Sequence, residues 1–494
     1  MKILHGRLGM TRLVVLGAAL LVLALCWLMV WRAGDGLEIR PFTYEGIPMR
    51  TIAPEGAANN PGVIIAHGFS GSQQLMQAYG YVLAHAGYTT LLFDFVGHGA
   101  NGAPLDSNDR SGGALQADLA LAYEALLAET AVDPARVALL GHSMGSGAVM
   151  TTGAEQTDRY AAVVAVSPTG AEVSAEAPRN FLLMAGQLEP QFAANAEGLL
   201  EDAGGANADF SQGLARSLVI VPSVEHITIL FAPFAHDLAR NWLDNVFGVQ
   251  RESGYTDGRM GWYLLQLVAW LVAAVAAAPL LRRPALVGGS VRSPWHWLGL
   301  LIAPTGATLL LAGLNWLEDV SSLGGMLVAG AMALWFLFFG AIWLAMGVQV
   351  VRPPRRSWLW GGLLFLFLWV AFGALAHLVW LPWLLAPERL LRWLPLALAL
   401  LPWLLAAGWV QQDAGVGRRV GWWLAQSVVL MVGLGTAVFL VPGLFFLVLI
   451  LPVLPIVLAI MGVAGGVVND PWAYGVGNAL FLGWLLVSLF PLVG

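Results

Sequence analysis

The sequence is poor in cysteine and poor in charge. One cysteine, Cys26, among 494 residues excludes an intrachain disulfide. It leaves the redox compartment open, because an oxidising one permits disulfides without requiring them. Charged residues make up only 11% of the chain and hydrophobic residues 58%. Soluble domains carry about 25% charged residues, so a wholly soluble protein is excluded. Nine histidines are scattered without an H-E-x-x-H pattern, so neither a metal site nor a cofactor is expected.

The length admits about three domains of ordinary size, and the charges divide the chain in the same way. The net −6 conceals a split. Residues 33–258 hold 25 Asp and Glu against nine Arg, a net −16. Residues 1–32 contribute +4 through Lys2, Arg7, Arg12 and Arg32, and residues 259–494 contribute +6 from 11 Arg and five acids. An acidic block of this kind is a poor partner for nucleic acid, where Lys and Arg must meet phosphates.

Leu13–Trp31 is an apolar run of 19 residues after three basic ones, long enough to cross a hydrocarbon core that takes about 20 residues. A cleaved signal peptide fits less well, since signal cores run to about 7–15 residues and no A-x-A site follows. After residue 258 apolar runs resume at about 261–281, 295–317, 323–351, 357–385, 390–410, 420–441, 444–466 and 473–492. Eight spans then follow the acidic block, nine in all, with Pro442-Gly443 the weakest division. Placing the N-terminus inside puts the acidic block outside. It also puts Arg282, Arg283, Arg292, Arg352, Arg355, Arg356, Arg418 and Arg419 in inner loops, as the excess of cytoplasmic Lys and Arg requires. Arg389 and Arg392, beside Glu388, run against the pattern. Trp358 and Trp360 at one end of a span, and Trp380 and Trp383 at the other, suit interfacial belts. The expected organisation is therefore an anchor over 1–32, an extracytoplasmic domain over 33–258 and a polytopic membrane domain of about eight helices over 259–494.

Within the acidic block, a short strand pair (37–40 and 48–52, turning at Glu45-Gly46) precedes six apolar, β-branched runs at 63–66, 89–93, 137–140, 162–166, 181–184 and 218–221. Helical patterns separate the six, at 73–86, 114–128, 145–156, 192–202 and 234–246. Such alternation predicts parallel strands with crossover helices on both faces, and chemistry at the strands' carboxyl ends.

The polar motifs fall at those ends. The 137–140 strand runs into Gly141-His142-Ser143-Met144-Gly145 with a helix directly after, which is G-x-S-x-G in the strand–turn–helix setting that exposes a serine hydroxyl. The 63–66 strand ends in His67-Gly68-Phe69-Ser70-Gly71. The N–H groups of Phe69 and Met144 together are placed to form an oxyanion hole. A third strand ends in Phe93-Asp94-Phe95-Val96-Gly97-His98-Gly99, where Asp94 and His98 read as turn-stabilising because they precede the serine.

In these three turns, residues 37–248 resemble an α/β-hydrolase domain: HGFSGS, FDFVGHG and GHSMG stand in that family's order and at its strand ends. The resemblance implies a doubly wound, mostly parallel sheet. It also implies a triad in the order serine, acid, histidine. Glu189, in Gly186-Gln187-Leu188-Glu189-Pro190, stands where many relatives carry aspartate, and Glu172 is the alternative acid. His226, in the loop after the last strand, matches the family's base, ahead of His236, which is spaced as a surface or half-buried helix residue. Ser143, Glu189 and His226 then act as nucleophile, orienting acid and general base. The expected reaction is acyl transfer to water from a small-molecule or lipid ester. Only about 14 residues separate Val166 from Phe181, so the helical cap of many relatives is absent or tiny.

The tail concentrates Pro442, Pro452, Pro455, Gly433, Gly435, Gly465 and Gly466 in its last third, which suits close helix packing. His377, inside a span, is either functional or a neutral imidazole with a hydrogen-bond partner. Two other readings stay open: a transporter or channel with a hydrolase-like binding domain, and an acyltransferase using the same triad.

Overall fold

The computed structural model describes residues 9–106, 113–249, 253–280, 295–346 and 352–494. Lys2, Arg7, Arg282, Arg283 and Arg292 of the charge pattern lie outside them. The chain divides into two units, one of Trp27–Tyr263, Ala376–Ala386 and Gly494, the other of Met1–Cys26, Leu264–Leu375 and Pro387–Val493.

The first unit is built on eight strands: β1 (Leu37–Tyr44), β2 (Ile47–Pro54), β3 (Asn60–Ala66), β4 (Thr89–Phe93), β5 (Val132–His142), β6 (Ala162–Val166), β7 (Phe181–Gly186) and β8 (Arg216–Val221). After α1 (Met10–Arg32), the helices here are α2 (Gln77–His85), α3 (Gly113–Glu129), α4 (Met144–Glu155), α5 (Pro190–Asp202) and α6 (Pro233–Phe247). The strand order is β1-β2-β4-β3-β5-β6-β7-β8. β2 pairs antiparallel with β1 and β4, and every other pair is parallel. The fold is thus the doubly wound, mostly parallel sheet expected of an α/β-hydrolase.

Period-two alternation explains why these strands read as unbroken apolar runs. Along β3, Val63 and Ile65 enter one core with Tyr79 of α2 and Leu243 of α6. Ile64 and Ala66 enter the other, with Leu119 of α3, Val149 of α4 and Ala196 of α5. All four strand residues are fully buried. A sheet covered on both faces has no polar face to show, and each such aliphatic side chain contributes about 1.5–3 kcal/mol by leaving water. The chain moves from β3 to β4 on one side, then crosses to β5 on the other. The crevice between the carboxyl ends of β3 and β5 is therefore the switch point at which ligands bind in open α/β sheets. Ala66 pairs with Gly141, so the two motif-bearing turns begin side by side. The Ser167–Asn180 connection holds no helix or strand, in keeping with the missing cap.

Among the described residues, eight helices are long and apolar enough to cross a membrane: Met10–Arg32, Arg259–Leu280, Trp297–Leu317, Arg355–Val379, Pro387–Gln411, Val416–Leu440, Leu451–Val468 and Pro471–Leu489. A ninth apolar helix, Ala329–Ala345, is shorter. Among the described residues, the run at 323–351 holds this helix alone, because a 3₁₀ turn at Leu323–Gly325 and Val328 at φ +69° occupy its start. The run at 444–466 is likewise not one helix. It opens with 3₁₀ turns at Pro442–Leu444 and Leu451–Val453 flanking a four-residue helix, Leu447–Ile450, and the long helix begins at Leu454, since proline removes a helical N–H and crowds the preceding turn.

Small residues bring the helices of the second unit together. A side chain on Gly483 would meet the backbone of Ala397 at 3.0 Å. Asp470 caps the Pro471–Leu489 helix, accepting from the N–H groups of Trp472 and Ala473, and takes the Ser357 hydroxyl at 2.7 Å. At the other end of that helix, buried Arg389 donates to the carbonyls of Val487 and Phe490 at 2.5 and 2.8 Å. Arg389, one of the two arginines that run against the charge pattern, therefore has a hydrogen-bonding role at this helix end. Trp358 is exposed, whereas Trp383 is fully buried and so cannot be the interfacial residue its position suggested. The Trp383 N–H donates to Nδ1 of His377 at 3.1 Å, which gives that imidazole a hydrogen-bond partner.

Candidate active site

Ser143 follows the last residue of β5 and precedes the first of α4. Its φ of +54° and ψ of −120° lie where a residue with a Cβ is strained by about 1–3 kcal/mol. The surroundings impose that conformation. The Ser143 N–H donates to the carbonyl of Val166 at 3.0 Å, and its own carbonyl accepts from Ser146 at 2.8 Å. The turn must also be narrow, because a Cβ on Gly145 would collide with the carbonyl of His67. Gly68, across the crevice, sits so close that a Cβ there would lie 2.9 Å from Cβ of Ser143. The turn after β3 is therefore packed directly on the serine.

The Ser143 hydroxyl stands 3.0 Å from Nε2 of His226, and Nδ1 of His226 stands 2.8 Å from Oε2 of Glu189. All three residues are more than 90% buried. Glu189 lies at the start of α5, before Pro190. Its second oxygen, Oε1, accepts from the Gly186 N–H and the Ser167 hydroxyl, both at 2.6 Å. Hydrogen bonds to a carboxylate are the short, strong kind, and here they leave Oε2 facing the imidazole. Phe192, one turn into α5, stacks on the His226 ring with centroids 4.2 Å apart.

The alternatives lie elsewhere. Glu172 is exposed in the Ser167–Asn180 connection. His236 is not the surface or half-buried residue its spacing suggested. It is buried on the inner face of α6 with Ala235, Ala239 and Leu243, edge-on to Tyr79, and its Nε2 donates to the carbonyl of Leu230 at 2.8 Å. Burial holds its pKa below the usual histidine value.

Asp94 accepts from the Gln73 N–H at 2.7 Å, the Gln73 side chain at 3.0 Å and the Ala100 N–H at 2.9 Å. Nδ1 of His98 donates to the carbonyl of Val96 at 2.9 Å. Both hold turns, as their place in the chain suggests. His67 ties two loops together, donating from Nδ1 to the Gly68 carbonyl at 2.8 Å and accepting the Phe95 N–H on Nε2 at 3.1 Å. Its pKa is lowered by burial. Met144 is the first residue of α4, whose N–H has no intrahelical carbonyl to bond, and Phe69 follows Gly68 in the turn packed on Ser143. Ser167 and Phe192 were not legible as site residues. Ser167 takes φ +49°, a conformation that no pattern around it signals. Among the described residues, no three His, Cys, Asp or Glu side chains gather as a metal site requires.

Residues 58–204 match the family model described as "Serine aminopeptidase, S33". Two uncharacterised proteins of Mycobacterium tuberculosis, from strains H37Rv and CDC 1551, are each 34% identical over 89 residues, covering 18% of this chain and 30% of theirs. The chain thus spans under a third of the length of the curated relatives it matches. Similar solved structures include a dienelactone hydrolase from Anabaena variabilis, 21% identical over 42% of this chain and 98% of that one, with a TM-score of 0.32. A predicted CIB-like hydrolase from Thermoplasma acidophilum is 20% identical over 42% and 98%, with a TM-score of 0.33. An esterase of the bacterial hormone-sensitive lipase family is 18% identical over 44% and 85%, with a TM-score of 0.32. The eight-stranded sheet and the order of its turns give this part of the chain an α/β-hydrolase fold, with the family match over residues 58–204, carried in one polypeptide with a set of long apolar helices.

Proposed function

We propose that the protein is a membrane-integrated serine hydrolase that cleaves carboxylic esters, lipid esters among them, through an acyl-enzyme on Ser143. The observation that carries this reading is the unbroken line from the Ser143 hydroxyl through His226 to Glu189 at 3.0 and 2.8 Å. It begins at a serine held in a strained turn at a helix N-terminus. His226 takes the hydroxyl proton on Nε2 as Oγ attacks the ester carbonyl carbon. Glu189 keeps the other imidazole proton on Nδ1 and stabilises the imidazolium. The N–H groups of Phe69 and Met144 receive the negative charge that forms on the carbonyl oxygen, helped by the positive end of α4. The imidazolium then protonates the leaving alcohol. Water, deprotonated by the same histidine, attacks the acyl-enzyme, and the acid leaves with Ser143 regenerated.

The domain layout follows the charges: an anchor over 1–32, the hydrolase domain over 33–258 outside the cytoplasm, and the polytopic membrane domain over 259–494. The test is labelling of the full-length protein with a fluorophosphonate probe, which reacts with an activated serine. Wild-type protein is expected to label, and Ser143→Ala and His226→Ala are not. A folded wild type that stays unlabelled overturns the reading. The same triad attacks amides, so paired assays on acyl esters and aminoacyl arylamides decide the bond cleaved. An acyl product on an added alcohol would instead mark a transferase.

A further inference from the structure

His142, the residue before the serine, lies where three loops of the site meet. It is 2% exposed. Its Nε2 stands 2.9 Å from the main-chain carbonyl of His226, and the two imidazole rings lie 4.7 Å apart. A carbonyl oxygen only accepts, so the proton of His142 is on Nε2 and Nδ1 is a bare lone pair. That Nδ1 edge abuts the oxyanion turn, where a Cβ on Gly68 would come within 2.9 Å of it. One ring therefore touches the nucleophile turn by sequence, the base loop by a hydrogen bond and the oxyanion turn by contact.

We propose that His142 is a positioning residue for the ester cleavage described above: a neutral imidazole that fixes the spacing of Ser143, His226 and the oxyanion turn. The proposal rests on the serine-hydrolase reading. His226 sits in the loop after β8, and its imidazole is held from three sides, by Glu189 at Nδ1, by the face of Phe192, and by His142 beside its main chain. The hydrogen bond from His142 is the one that acts on the backbone, so it sets where the Cα–Cβ bond of the base points. Burial, and next the neighbouring charge of His226, push the pKa of His142 well below the ordinary histidine value. The ring therefore stays an uncharged donor when His226 takes the serine proton. Errors of about 1 Å at such a site lower rates by roughly a hundredfold.

The test compares two amides in the full-length protein. His142→Gln carries an N–H about as far from the backbone as Nε2, whereas His142→Asn stops one carbon short. His142→Asn is expected to lower kcat for ester hydrolysis, and the rate of fluorophosphonate labelling with it, by roughly ten- to a hundredfold with KM unchanged. His142→Gln should recover most of that loss. If His142→Asn matches wild type, or if Gln is no better than Asn, the positioning role is wrong although the triad stands. A wild type that never labels overturns the hydrolase reading and this inference together.

Discussion

Replacing Glu189 by glutamine changes one atom and should nearly abolish turnover. Oε1 accepts from two donors, the Gly186 N–H and the Ser167 hydroxyl, and Oε2 faces Nδ1 of His226. An amide has one acceptor oxygen and one NH₂. The Gly186 N–H can only donate, so the amide oxygen must take the Oε1 place and the NH₂ must face His226. Nδ1 then has to accept, which moves the imidazole proton to Nε2, where it blocks removal of the Ser143 proton. The imidazolium also loses its carboxylate. Opposite charges 2.8 Å apart attract by about 6 kcal/mol at an effective dielectric of 20, an upper figure for what the transition state forfeits. The same tautomer reversal in a serine protease lowers kcat about ten-thousandfold, and a loss of that order is expected here. The assay is kcat for ester hydrolysis by purified Glu189→Gln, with the thermal midpoint as a check on folding. A folded variant within tenfold of wild type would refute the tautomer argument and reopen the choice of acid.

Other predictions concern pH and placement. His67, His142 and His236 are buried and held below the usual histidine pKa. Between their folded values and about 6.5 the unfolded chain binds more protons, so stability is full above about pH 6.5 and falls as pH drops. Thermal midpoints of the full-length protein should hold between pH 7.5 and about 6.5 and then fall toward pH 5, and a profile that stays flat or rises below pH 6.5 contradicts the burial argument. For topology, Ala135 is exposed in the hydrolase domain. Ala135→Cys in a Cys26→Ser background should react with an impermeant maleimide in intact cells. Reaction only after lysis would place the domain in the cytoplasm.

The fold was legible because a sheet buried on both faces writes itself as short apolar runs, and because Gly141–Gly145 and His67–Gly71 mark two strand ends. Ser143 came from its G-x-S-x-G turn and Glu189 and His226 from the α/β-hydrolase resemblance, and the geometry brings those three together. The burial of His236 was not legible. A histidine among Pro233, Phe234 and Asp237 looks like a surface residue, and only the packing of α6 on Tyr79 places it inside. Ser167 was hidden for a different reason: its part depends on a positive φ and on a partner 22 residues away, and neither leaves a local pattern. In the apolar tail, hydropathy locates segments but not their breaks. The turn at Leu451–Val453 interrupts a run that composition alone joins, and the turn at Leu323–Gly325 shortens another, while Pro442 stands at a division that hydropathy already marked.

The length of the Glu189 side chain couples the proposed acid to its turn. Glu189 reaches back from the start of α5 to the Gly186 N–H, three residues earlier, while its other oxygen reaches His226. Aspartate is shorter by one carbon–carbon bond, roughly 1.5 Å, and cannot span both contacts from the same backbone. Replacing glutamate by aspartate at this position would therefore require the turn to move as well. Either change made alone leaves the histidine poorly held. The length of the acid and the shape of the β7–α5 turn are then set together.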